Sequence, residues 1–178
     1  MNRLLLFFIL LLITTSISAQ ESKPPKTDFG KMFLPVWQEA RKHCLEVANG
    51  MPEDLYTWKP TEVSKTFAEQ MVHIAHTIEL LTQRYVQGME VVANTPDAGK
   101  MSKAEVIKLL EDGFDYVTKV IYEISDEKLN ETTKMYHSGN IVSRGFAFFY
   151  VTDHMTNHRA KSNLYIRMNN IQPPEYTW

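Results

Sequence analysis

The chain has 178 residues, one cysteine (Cys44), 7 glycines and 8 prolines, and its 19 basic and 21 acidic side chains leave a formal net charge of −2. That length fits a single domain, and one thiol excludes an internal disulfide, a cysteine-rich zinc site and a C-x-x-C redox pair. The charge balance lacks the basic excess on which nucleic-acid binding depends, and the scarcity of glycine and proline favours long regular elements over a turn-rich β fold.

At the start of the chain, Asn2-Arg3 precede an uncharged apolar run from Leu4 to Ile13, followed by the small polar stretch Thr14 to Ala19. This is the order of a secretory signal peptide, and the run falls well short of the ~20 residues that span a bilayer. Residues 1–19 are therefore expected to be a signal peptide cleaved after Ala19. The mature chain would be exported, periplasmic or secreted, with no membrane association. Ile17 stands where a small residue is usual, which leaves a retained anchor as the alternative. No cysteine lies near the cleavage point, which argues against a lipoprotein. Residues 20–30, polar with Pro24-Pro25, read as a linker, and residues 31–178 as the folded domain.

Four helical segments follow. Pro35 suits a first helical turn, and Trp37, Ala40, Cys44 and Val47 form a stripe that ends before Asn49-Gly50. Thr66-Phe67-Ala68-Glu69 is a capping box, in which the threonine accepts from the third backbone N–H and the glutamate reaches back to the cap. From Phe67 the apolar residues Met71, Ile74, Ile78, Leu81 and Tyr85 recur at helical steps as far as Gly88, a left-handed stop. A second box, Ser102-Lys103-Ala104-Glu105, opens a helix in which Val106, Leu110, Gly113, Val117, Val120 and Ile124 form the alternating 4,3 seam of packed bundles. The last helix runs from about Ser143 to Met168, before Pro173-Pro174, with Phe146, Ala147, Tyr150, Val151, Leu164, Tyr165 and Met168 as its apolar stripe. Four such helices, none able to bury its stripe alone, predict an all-α four-helix bundle. The connections, longest from Ser125 to Asn140, permit parallel neighbours.

His154 and His158 fall one turn apart inside the last stripe, so their imidazoles can converge on one metal ion. The intervening residues hold no glutamate of the zincin kind, and a hydrogen-bonded core pair is the alternative. His73 and His76 on the Thr66 helix are candidates for a third ligand. The helical wheel sets His73 about 120° from the stripe centre, where it can meet a neighbour, and His76 about 180° away, facing outward. His43 and His137 lie among polar residues and read as ordinary.

Four stretches together resemble the DinB-like (DinB/YfiT) family of metal-binding four-helix proteins. They are Met51 to Pro60, Phe67 to Ala75, the H-x-x-x-H-R segment His154 to Arg159, and the ending Tyr165-Ile166-Arg167 through Ile171 to Tyr176. The similarity spans essentially the whole mature chain. It implies up-down-down-up helix order and a divalent metal held by His73, His154 and His158. Lys161 departs from the family, which often has glutamine there, and Asn170 stands where glycine is common.

Three neutral imidazoles leave a coordination position open for water or substrate, and they suit zinc, nickel or iron. An ion there lowers the pKa of a bound water toward ~7 or holds a thiol as thiolate. The resemblance extends to thiol-dependent transferases and isomerases, although low-molecular-weight thiols are chiefly cytosolic reagents and export weakens that analogy. The expected function is a metal-dependent hydrolase or transferase acting on a small molecule. The alternative is a non-enzymatic metal- or partner-binding bundle. Tyr150 and Asp153 flank the histidines without an assigned catalytic role. The aromatic run Phe146 to Tyr150 covers more than one face, so Phe148 and Phe149 are expected to meet a second copy in a homodimer.

Overall fold

A computed structural model describes residues 23–177 of the chain; the expected signal peptide lies outside the described residues. Four long helices carry the fold: α1 (Asp28–Gly50), α2 (Phe67–Leu81), α3 (Lys103–Glu123) and, after a short α4 (Asp126–Asn130) and a two-stranded hairpin, α5 (Arg144–Met168). None of the described helices is long and apolar enough to cross a membrane.

Local chemistry sets the boundaries. Both capping boxes form, Thr66 with Glu69 and Ser102 with Glu105. Ser143 caps α5 through the Phe146 N–H. Beyond Leu81 the second helix widens into a π-helical segment, Thr82–Gln87, and Gly88 ends it at φ 75°. The Arg144 guanidinium donates to the Tyr85 carbonyl within that segment at 3.1 Å. Asn170, where glycine is usual in the resembled family, adopts the left-handed φ of 60° that asparagine tolerates.

The first helix begins earlier than its sequence suggests. Thr27 accepts from the Gly30 N–H, so residues 28–30 of the expected linker are helical, and Pro25 and Thr27 are already buried. Pro35 therefore sits about two turns inside α1 rather than at its start. Its side is solvent-exposed, where water can satisfy the carbonyl that its missing N–H leaves free.

Contacts give the helix directions. Trp37 donates to Thr118 on α3, while Lys103 at the α3 start donates to the Asn49 and Met51 carbonyls at the α1 end, so α1 and α3 are antiparallel. Gly113 meets Ala75, and farther along Tyr116 bonds Gln87, so α2 and α3 run parallel. Gln70 pairs with Tyr165 and Tyr85 with Tyr150, making α2 and α5 antiparallel. The order is up-down-down-up, with α1 packed on α3 and α5, and α2 packed on the same two. The core is filled by Trp37, Phe67, Phe114 and Phe148, all fully buried.

Three local expectations change. The connection from Ser125 to Asn140 contains α4 and one strand of the antiparallel pair Thr132–Lys134 with Ile141–Ser143. The α5 stripe is turned from the expected one: Phe146, Leu164 and Met168 are about half exposed, while Phe148, Met155, Ser162 and Ile166 are buried. Phe148 packs against Phe29 and Phe33 of its own chain and so cannot meet a second copy.

Candidate metal centre

The antiparallel pairing of α2 and α5 brings His73, His154 and His158 to one place. One nitrogen from each lies within 4.8 Å of the other two. The His73 and His154 Nε2 atoms are 3.2 Å apart, and the His73 and His158 ring centroids 4.3 Å. Two nitrogens bound ~2.0–2.1 Å from a tetrahedral ion stand about 3.3 Å apart, so the observed spacing is that of shared ligation. An N–H···N bond between neutral rings has a similar length, and the two arrangements differ only in which nitrogen of one ring carries its proton.

The third ring is oriented from behind. His158 is buried, and its Nδ1 lies 2.8 Å from the Gln70 Oε1. Gln70, itself buried, donates its amide N–H to the Tyr165 hydroxyl at 3.2 Å, which fixes its oxygen toward the imidazole. An amide oxygen only accepts, so Nδ1 carries the proton and Nε2 keeps the lone pair that a metal requires. Trp58 packs edge-on against Tyr165 and holds this support in place.

Burial sets the charge of the cluster. Desolvation, followed by the neighbouring His154 and by Lys65, lowers the His73 pKa to about 4. Desolvation also brings His158 to about 4, with His73 and His154 adding to the effect. His154 is lowered by burial and by Lys161, against a smaller opposing effect of Asp153. All three rings are therefore neutral near pH 7, the state in which imidazole binds a cation. Three nitrogen donors with no carboxylate among them suit zinc, nickel or iron rather than magnesium or calcium.

The remaining candidates lie apart. His76 is half-buried rather than outward-facing, with its Nε2 enclosed and without a hydrogen-bond partner among the described residues, and it is not a member of the cluster. His137 is exposed on the hairpin loop against Tyr136. His43 is buried under the C-terminal segment, 2.7 Å from the Thr177 carbonyl oxygen and packed on Tyr176. Asp153 is exposed. The Tyr150 ring stands 6.2 Å from that of His154, and burial raises its pKa so that the phenol stays protonated. Gln70 escaped the sequence reading because a lone glutamine on a helix carries no motif. The available signal was its position three residues before His73, on a shared face.

Comparison with known proteins bears on the family and the fold. The profile described as DinB superfamily matches residues 37–161, a span that includes all three histidines. A DinB-like protein from Bacillus subtilis superposes with a TM-score of 0.65 at 19% identity, covering 82% of this chain and 97% of that one. Another, from Bacillus cereus ATCC 10987, gives a TM-score of 0.68 at 13% identity, covering 82% and 95%. No functionally curated protein matches. With the profile covering well over half of its length, the chain belongs to the DinB superfamily.

Proposed function

We propose that this protein binds a divalent metal ion through His73, His154 and His158 and acts on a small molecule as a metal-dependent hydrolase or transferase. The observation that carries the reading is the convergence of three neutral imidazoles from two helices, with one ring held in the metal-binding tautomer by Gln70. The chemistry a divalent ion supplies there is Lewis acidity toward water or a thiol. The chain's own part would be to offer three nitrogens, from His73, His154 and His158, to one ion. It also keeps the rings deprotonated by burial and keeps His158 from rotating. The N-terminal residues 1–19 support export of the mature chain, so the substrate would be met outside the cytoplasm. A non-enzymatic metal-binding bundle is the second reading, favoured by the lack of a carboxylate in the cluster to serve as general base. Phe146 and Phe149, each about half exposed, remain as a surface for a homodimer, which light scattering tests.

Metal analysis of the purified protein beside His154→Ala and His158→Ala tests the site. Stoichiometric metal in the wild type alone is expected, and equal trace metal in all three overturns it. Screening the metal-loaded protein with ester, amide and thiol-transfer substrates tests the activity. Turnover that survives His73→Ala refutes the enzymatic role of the centre.

A further inference from the structure

Three neutral ligands leave the charge of a divalent ion uncompensated, and two lysines without ion-pair partners stand beside the cluster. Lys161 lies one turn beyond His158 and two beyond His154, on the same face of α5. Lys65 immediately precedes the Thr66 cap of α2 and lines, together with His73, a cavity of about 310 Å³ on the side of α2 that faces residues 95–98, away from His154 and His158. The antiparallel packing puts both lysines at the same end of the cluster, the end at which Gln70 meets Tyr165. Their charges reach the rings: Lys161 lowers the proton affinity of all three histidines, and Lys65 that of His73 and His158.

Nearby carboxylates offset this field only in part. Among the described residues neither lysine has an ion-pair partner. Of the two acidic residues lining the His73 cavity, Asp97 is paired with Lys100 and accepts from the Gly99 N–H, while Glu69 accepts from the Thr66 N–H. Of the three rings Asp153 acts on that of His154, whose proton affinity it raises, from the exposed side of α5.

We infer that the centre takes a small molecule bearing an anionic oxygen group, a carboxylate or phosphate, seated at the open metal position between the ammonium groups of Lys65 and Lys161. The inference rests on the metal reading above and narrows its substrate class.

Cobalt(II) loaded into the full chain gives visible absorption bands that respond to ligands at the ion, independently of any turnover. Acetate and inorganic phosphate are expected to shift these bands saturably, whereas acetamide, the neutral analogue of acetate, leaves them unchanged. Lys161→Gln and Lys65→Gln are each expected to weaken the anion effect about fivefold, the size of one partly screened charge at close range. Both lysines are exposed, so folding is unaffected, and the remote Lys42→Gln serves as the unchanged control. Equal anion affinity in wild type and both variants, or an equal response to acetamide, overturns the anion assignment while leaving the metal site standing. A wild type that takes up no cobalt overturns the metal reading itself, and this inference with it.

Discussion

Replacing Gln70 by leucine tests the part of the centre that lies behind the ligands. The substitution keeps the apolar volume but removes the acceptor of the 2.8 Å bond from His158 Nδ1 and the donor of the 3.2 Å bond to Tyr165. Gln70 is only 4% exposed, so water has no route to replace either partner. A buried N–H left without an acceptor costs about 1–3 kcal/mol, and loss of the group that orients a ligand histidine typically weakens metal affinity about 10- to 100-fold. Zinc affinity measured by chelator competition is therefore expected to fall by that factor in Gln70→Leu. Gln70→Glu retains an oxygen acceptor and is expected to stay within a few-fold of wild type. Long-range nitrogen-15 NMR of the metal-free protein provides a second readout, because His158 is expected to carry its proton on Nδ1 in the wild type and to lose that preference in Gln70→Leu. Wild-type zinc affinity together with an unchanged tautomer in Gln70→Leu would refute the orienting role.

Burial holds His73 and His158 at about 4, below the ordinary histidine value near 6.5 that the unfolded chain shows. Between those values the unfolded state binds more protons, so metal-free stability is complete above pH 6.5 and declines as the pH falls toward 4. The slope is at most about 1.4 kcal/mol per pH unit for each ring, reduced by the partial exposure of His73. Urea midpoints at pH 7.5 and 5 check this, and a midpoint that rises on acidification contradicts it. Gly113→Ala would place a Cβ 2.8 Å from the Ala75 carbonyl oxygen, forcing α2 and α3 apart. A loss of about 1–3 kcal/mol in urea denaturation is expected, and an unchanged stability would show that the helices can part freely. Cys44 is fully buried, and desolvation pushes its thiol up to about 12. Ellman's reagent should leave the native protein untouched and label it only at the rate of global unfolding, so rapid labelling without denaturant would count against the packing of α1 on α5.

Much of this architecture was legible because its signals are local. The two capping boxes fix the starts of α2 and α3 within single turns, and the seam from Val106 to Ile124 is buried throughout. His154 and His158 share a face by helical period alone, and the wheel separates His73 from His76. The failures share a cause, since each depends on a neighbour that sequence does not reveal. The start of α1 is extended by Thr27 and by the Lys26 N–H, which donates to the Tyr122 carbonyl at the end of α3. In α5 the expected stripe holds at Ala147, Val151 and Tyr165, but the interior face also carries Ser162 and His158 while Phe146, Leu164 and Met168 turn to solvent, so an apolar count sets the stripe off its true line. His43 reads as ordinary in sequence, and its burial is not legible there because the segment that covers it, Tyr176-Thr177, lies more than 130 positions downstream.

The order in which the helices pack has a consequence for biosynthesis. Both neighbours of α1 lie later in the chain, on α3 and α5. While translation proceeds, Phe33, Trp37 and Val47 leave the ribosome with no surface to dock on. Their shelter arrives in part with Phe114 and Thr118, and in full only once Phe148 and Ile166 have been made. Unlike a bundle in which each hairpin closes as it emerges, this chain can pack α1 and α2 on α3 partway through synthesis but cannot close the first helix fully until α5 has been made.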